Sequence, residues 1–110
     1  KGTKLLTNIF YDYEQKSLRM IVDQLKKELK NTIIILINII NNRFTIIVGV
    51  TRNLLDYITA IKIMEMIINK TNGKGGGKKE IAEGGGANTK QLPSILNTIK
   101  LWINDKLNEK

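Results

Sequence analysis

The sequence predicts an α/β fold of the α+β type: a small mixed sheet of about three or more strands packed with three helices, in the order β-α-β-β-α-loop-α. Three observations carry this expectation. A nearly continuous β-branched run, Thr32 to Ile40, is followed by the turn-tolerant pair Asn41-Asn42 and a second β-rich run, Arg43 to Val50, which together read as a hairpin. Apolar residues recur at helical spacing in Ser17 to Lys30, in Asn53 to Ile68 and again near the C-terminus. Between the last two helical patterns the composition breaks, and seven of the nine glycines fall within Thr71 to Asn88.

Taken in order, Leu5 to Tyr13 mixes apolar residues with Asn and Asp and reads as an edge-like strand. Leu18, Ile21, Val22, Leu25 and Leu29 then line one face of a helix, with Lys26, Lys27 and Lys30 at the end where cations favour the dipole. Thr32 to Ile40 has the pattern of a strand buried on both faces. The second helix is expected over Asn53 to Ile68, capped by Thr51 or Asn53, with Ile58, Ile61, Met64 and Ile68 as its main stripe. The last helix tolerates Pro93 in its first turn and turns Leu92, Ile95, Leu96, Ile99, Trp102 and Ile103 inward. One domain, residues 1–110 with a Gly-rich loop at 72–86, accounts for the pattern.

Composition removes much of enzymology. There is no His and no Cys, which excludes imidazole bases, thiolate chemistry and ordinary zinc sites. Net charge is +8, which favours polyanionic partners, although Ile, Asn and Lys supply 46 of the 110 residues and all have A/T-rich codons. The basic balance alone therefore carries little weight. The longest apolar stretch, Ile33 to Ile40, is interrupted by Asn38 and is far short of the ~20 residues that span a bilayer. No membrane partner is expected, and the chain reads as a soluble piece of something longer, since it begins with Lys1.

The unusual feature is the stretch Asn72 to Gly86, where two Gly-rich turns enclose a short charged segment. Glycine lets another molecule approach backbone N–H groups closely, and successive N–H groups suit anions. Lys70, Lys74, Lys78, Lys79 and Lys90 lie on or beside it, giving a phosphate-contacting surface; a solvated linker is the bland alternative. A nucleotide P-loop fails, because Asn72 and Lys79 stand where Gly and Ser or Thr are needed. Glu80 and Glu83 lack a third ligand or a buried partner, so they read as surface acids. No catalytic residue and no metal ligand is assigned.

Gly73, Lys74, Gly75, Gly76, Gly77, Ala82, Gly84 and Gly85 match a pattern of two glycines, Lys, three glycines, Arg-Pro-Asp, Ala-Gln and a final Gly run. In these residues the chain resembles the C-terminal, DHH-associated type of domain of bacterial alanyl-tRNA synthetases. Leu18 to Lys26, Thr32-Ile33-Ile34, Gly49-Val50-Thr51, Leu92-Pro93 and Trp102 extend the likeness over essentially the whole chain. The departures are Asn72 for Gly, Lys78 for Arg, Lys79 for Pro, Glu80 for Asp, and Glu83 for Gln; Glu83 is expected to weaken a local phosphate contact. The DHH phosphoesterase version carries a His after its Gly pair, and this chain has none.

The resemblance implies a non-catalytic module that holds the tRNA elbow and helps couple aminoacylation with editing. The implied RNA-contacting residues are Lys74, Gly75, Gly76, Gly77, Lys78, Lys79, Gly84, Gly85 and Lys90. Implied partners are tRNA and the remainder of the parent synthetase, in the cytoplasm. No cofactor is expected in this chain; ATP, Mg and zinc are implied for the parent ligase. A self-association module, a homodimer in which the Gly-rich loop packs against the partner subunit, is the alternative and would be favoured by an exposed apolar strip around Leu5 to Tyr13; a phosphoesterase cap is a third reading.

Overall fold

In the computed structural model, which describes residues 3–108, strand β1 (Lys4–Tyr11) leads into helix α1 (Gln15–Glu28) and strands β2 (Thr32–Ile40) and β3 (Arg43–Val50). A short 3-10 turn at Arg52–Leu54 precedes helix α2 (Ala60–Thr71), strands β4 (Lys74–Gly77) and β5 (Ile81–Gly86), and helix α3 (Leu92–Asn108). The expected limits at Lys1 and Lys110 lie outside the described residues.

The five strands form one sheet in the order β1-β2-β3-β5-β4, with β1 parallel to β2 and the other pairings antiparallel. The expected Asn41-Asn42 turn joins β2 to β3, and both residues take positive φ, 53° and 63°, as a two-residue hairpin requires. Alternation along β2 and β3 sends their apolar side chains to two cores. Ile33, Ile35 and Ile37 pack with Ile46, Val48 and Val50 against α2 and α3. Ile34, Leu36 and Ile47 face α1 through Leu18 and Val22. That division is why a continuous apolar run is needed at β2, and it bears out the two-sided burial expected there. The expected inward face of α3 is buried except at Trp102, which packs partly against the core.

Two sequence expectations are corrected. The Gly-rich segment is not a loop: β4 and β5 form an antiparallel pair, and β5 adds to β3 at the centre of the sheet. The second helix starts at Ala60 rather than Asn53. Both proposed caps are engaged elsewhere: Thr51 Oγ1 accepts from the N–H of Thr32 at 3.0 Å, and Asn53 Oδ1 accepts from the N–H of Asn31 at 3.2 Å. Thr59 caps the helix instead, accepting from the N–H of Lys62. Among the described residues no helix is long and apolar enough to cross a membrane.

Candidate nucleic-acid interface

Backbone bonding fixes how the glycine strands present themselves. Val50 N–H donates to the Glu80 carbonyl at 2.9 Å, and Lys78 N–H donates to the Ile81 carbonyl at 2.8 Å. Bonding direction alternates along an antiparallel ladder. Ala82, Gly84 and Gly86 therefore bond to β3, while Ile81, Glu83 and Gly85 bond to β4. The same alternation turns the N–H and C=O groups of Gly75 and Gly77 to the open edge of the sheet.

Side-chain direction follows from the same register. Ile81 packs in the α1-side cluster, so Glu83 and Gly85 face α1 as well. Their direct partners on β4, Gly76 and Lys74, share that face, and so does Lys78 opposite Ile81. Lys74 ends a row that crosses four strands: Asn38, Thr45, Gly85 and Lys74 are successive register partners. This row floors a groove of about 530 Å³ whose lining also takes in Arg43, Ile40 and the Gly84–Gly86 backbone. Gly85 supplies no side chain, so the groove stays open between Arg43 and Lys74.

The wall of the groove is braced by the start of α1. Asn38 is buried, accepts from the N–H of Tyr13 at 3.1 Å and donates to the Tyr13 carbonyl at 2.6 Å. Thr45 Oγ1 donates to Gln15 Oε1. The half-exposed Tyr13 ring lies 4.9 Å from that of Phe10, which holds an aromatic surface beside the wall. One turn along α1, the guanidinium of Arg19 pairs with the Glu83 carboxylate, and Gln15 Nε2 donates to the same carboxylate at 3.4 Å. The hydrogen bond that Arg19 donates to Glu83, and then the charge of that carboxylate, hold Arg19 above the usual arginine range. Glu83 is thus neutralised locally by α1.

The structure divides the sequence-predicted residues. Lys74, Gly84 and Gly85 meet at the groove; Gly75, Gly76 and Gly77 form the exposed edge; Lys78 and Lys79 lie at the far end of the β4–β5 hairpin. Lys90 is exposed in the turn leading into α3, which packs on the opposite face. Sequence reasoning missed Arg43, Asn38, Thr45 and Gln15. The Asn-Asn turn marks Arg43 as a hairpin-end residue, but only the β3–β5 pairing brings it to the glycines. Among the described residues no group of three or more His, Cys, Asp or Glu is placed to hold a metal ion.

The sheet thus has an edge built from glycines and is covered by one helix on one face and two on the other. The DHHA1 domain family matches residues 2–105, and the chain belongs to it. Two of its curated relatives are alanine–tRNA ligases. The chain is 64% identical over 107 residues to the ligase of Buchnera aphidicola subsp. Schizaphis graminum (strain Sg), covering 97% of this chain and 12% of that protein. It is 52% identical over 91 residues to that of Buchnera aphidicola subsp. Baizongia pistaciae (strain Bp), covering 83% and 10%. The chain thus spans only a small part of these relatives. Its fold matches the crystal structure of the C-Ala domain from Aquifex aeolicus alanyl-tRNA synthetase, with a TM-score of 0.81 at 23% identity over 87% of this chain and 86% of that one.

Proposed function

We propose that this chain is the C-terminal, tRNA-binding domain of an alanine–tRNA ligase, acting in the cytoplasm as a non-catalytic appendage. It holds the tRNA elbow so that one tRNA serves both the aminoacylation and the editing centres of the parent enzyme. ATP, Mg and zinc belong to those parent centres. The observation that carries the reading is the groove between Arg43 and Lys74, floored by Gly85 and continuous with an edge of outward backbone donors at Gly75 and Gly77. Folded RNA is read by shape, phosphates and 2′-OH groups, and a cationic groove beside exposed donors suits that chemistry. Stacking of an RNA base on Tyr13 adds about 1–3 kcal/mol.

Binding to folded tRNA and to a length-matched hairpin across a salt series tests this. Neutralising ~3–5 phosphates gives a slope of log affinity against log salt of about −2 to −4. Clearly tighter binding to tRNA, lost in the Lys74→Glu, Lys78→Glu double variant, is the expected result. Equal binding to both RNAs sinks the elbow reading; unaltered binding in the double variant sinks the site.

Self-association is the second reading, and one observation favours it. β1 is an open edge, and Leu6, Tyr11, Met20 and Ile21 on it and on α1 are 37–64% exposed. Size in solution that grows with protein concentration supports this reading, and a concentration-independent monomer removes it.

A further inference from the structure

We propose a second phosphodiester-binding patch at the C-terminal end of α1, built from Lys26, Lys27, Lys30 and Arg52, that extends the RNA contact beyond the Arg43–Lys74 groove. It rests on the reading that this chain binds RNA. Two adjoining concavities of about 440 and 420 Å³ share Lys26, Lys27 and Arg52. Asp23 and Glu80 border the first; the second, which adds Lys30, is lined by four cations and no carboxylate. None of the four takes part in an ion pair among the described residues, where the pairs are Arg19–Glu83 and Lys62–Glu65.

The floor of the patch is fixed. Asn31, at φ 55°, is tied to Asn53 through its own N–H and through the Asn53 side-chain amide. Thr51 bonds in turn to Asn53 and to the N–H of Thr32. Lys26 is held from the other side. A Cβ on Gly49 would come within 3.1 Å of Lys26 Cδ, so the missing side chain at Gly49 seats the lysine stem on the sheet. Ordering a lysine in advance lowers the entropy lost when its ammonium meets an anion.

The patch and the groove share one face. α1 bonds to Thr45 through Gln15 and covers Gly49 through Lys26, four residues or roughly 13 Å along β3. Lys78 lies on the same face, at the β4 end of the Gly49–Ile81 row. Cations near a helix C-terminus also offset the dipole, which accounts for Lys26 and Lys27 but not for Arg52 on the following segment. A protein partner would call for an aromatic or Met anchor, and none lines the patch. RNA phosphates fit it better.

The test uses the 110-residue chain with Lys27→Ala, Lys30→Ala and Arg52→Ala combined and Lys26 kept. A folded tRNA transcript is the probe, and an Arg43→Ala, Lys74→Ala variant runs alongside. The triple variant is expected to keep its thermal midpoint and to lose about 2 from the magnitude of the salt slope. Independently, tRNA is expected to shield the Lys27 and Lys30 amines of the unsubstituted chain from acetylation. Unchanged slope and affinity in the triple variant, with binding lost in the groove variant, overturns the patch and leaves the RNA reading standing. Equal amine acetylation with and without tRNA overturns it too, even if the triple variant fails to fold. Retained RNA binding with lost association to the remainder of the synthetase makes the surface a protein interface and also overturns it. Failure of the unsubstituted chain to bind tRNA removes both readings.

Discussion

Arg19 on the first helix reaches across to Glu83 on β5 and holds its carboxylate against the helix, two register positions from Lys74 and so on the same face. The pair has opposite consequences for its two members. Glu83 stands where the resembling synthetase domains have a neutral Gln, and its charge borders a surface that otherwise presents Lys74 and Lys78. Arg19 cancels that charge and is itself withdrawn from any anionic partner.

Glu83→Gln therefore frees a cation and is expected to tighten tRNA binding and steepen the salt slope by about 0.7–0.9, one phosphate contact. Arg19→Ala is expected to do the reverse, leaving an uncompensated carboxylate on the same face. Arg19 is exposed and Glu83 partly so, and neither change is expected to move stability appreciably. The pair also sets no titration near neutrality through Arg19. A raised pKa means its contribution is complete below the unfolded arginine value and is lost only as pH rises through the higher folded one. Equal affinities for the two variants across the salt series would refute this division of roles.

The glycines separate into those the sheet needs and those it leaves open. A Cβ on Gly84 would lie 2.7 Å from the Lys74 carbonyl oxygen and 2.9 Å from Met64 Sδ, and one on Gly75 would lie 2.6 Å from the Glu83 carbonyl oxygen. Gly76 has nothing within 4 Å. Gly84→Ala is expected to cost about 1–3 kcal/mol by overpacking, read as a fall in thermal midpoint. Gly76→Ala is expected to leave the midpoint nearly unchanged and to weaken RNA binding only by narrowing the edge. Similar losses in both variants would show that chain flexibility, not close packing, explains the glycines.

This separation also shows what could be read from the sequence. β2 was legible because every face it presents is apolar, and α3 because its stripe is long and starts beside Pro93. β4 and β5 were not. Glycine has poor strand propensity, and Lys74 to Gly77 is a strand because β5 pairs with it, not because of any local pattern. The break before α2 was hidden for a related reason: Leu55 and Ile58 continue a helical stripe, while the groups that stop the helix, Thr51 and Asn53, are claimed by residues about 20 positions earlier. The lysines of the site were visible, but Arg43 entered only through register across three strands.

Asn72 illustrates a departure that the backbone explains. It ends α2 with φ 56° and ψ 29°, a left-handed cap whose N–H donates to the Ile68 carbonyl. Glycine fills that conformation without strain, and Asn is the side chain that tolerates it best. Asn72→Gly is expected to be neutral within about 0.5 kcal/mol, and Asn72→Val to lose about 1–2 kcal/mol, the usual cost of left-handed backbone for an L-residue. Denaturant midpoints of the two variants check this, and an unaffected Asn72→Val would mean the cap is not held in the folded chain.

Asn38 is the last residue whose role the sequence obscured, since it looks like a flaw in an apolar run. Its side chain satisfies both backbone groups of Tyr13, accepting from the N–H and donating to the carbonyl, and so anchors the chain where it enters α1. Removing the amide leaves two peptide groups unpaired next to a buried strand, at about 1–3 kcal/mol each when water cannot reach them. Tyr13 is half-exposed, so water offsets part of that cost, and Asn38→Ala is expected to destabilise the domain by about 1–3 kcal/mol in all and to release Tyr13 from the entry to α1. Faster amide hydrogen exchange at Tyr13 to Leu18, with the β3–β5 amides still protected, is the signature of that local loosening. Unchanged exchange at Tyr13 would show that β1 alone positions the helix, and would take Asn38 out of the construction of the groove.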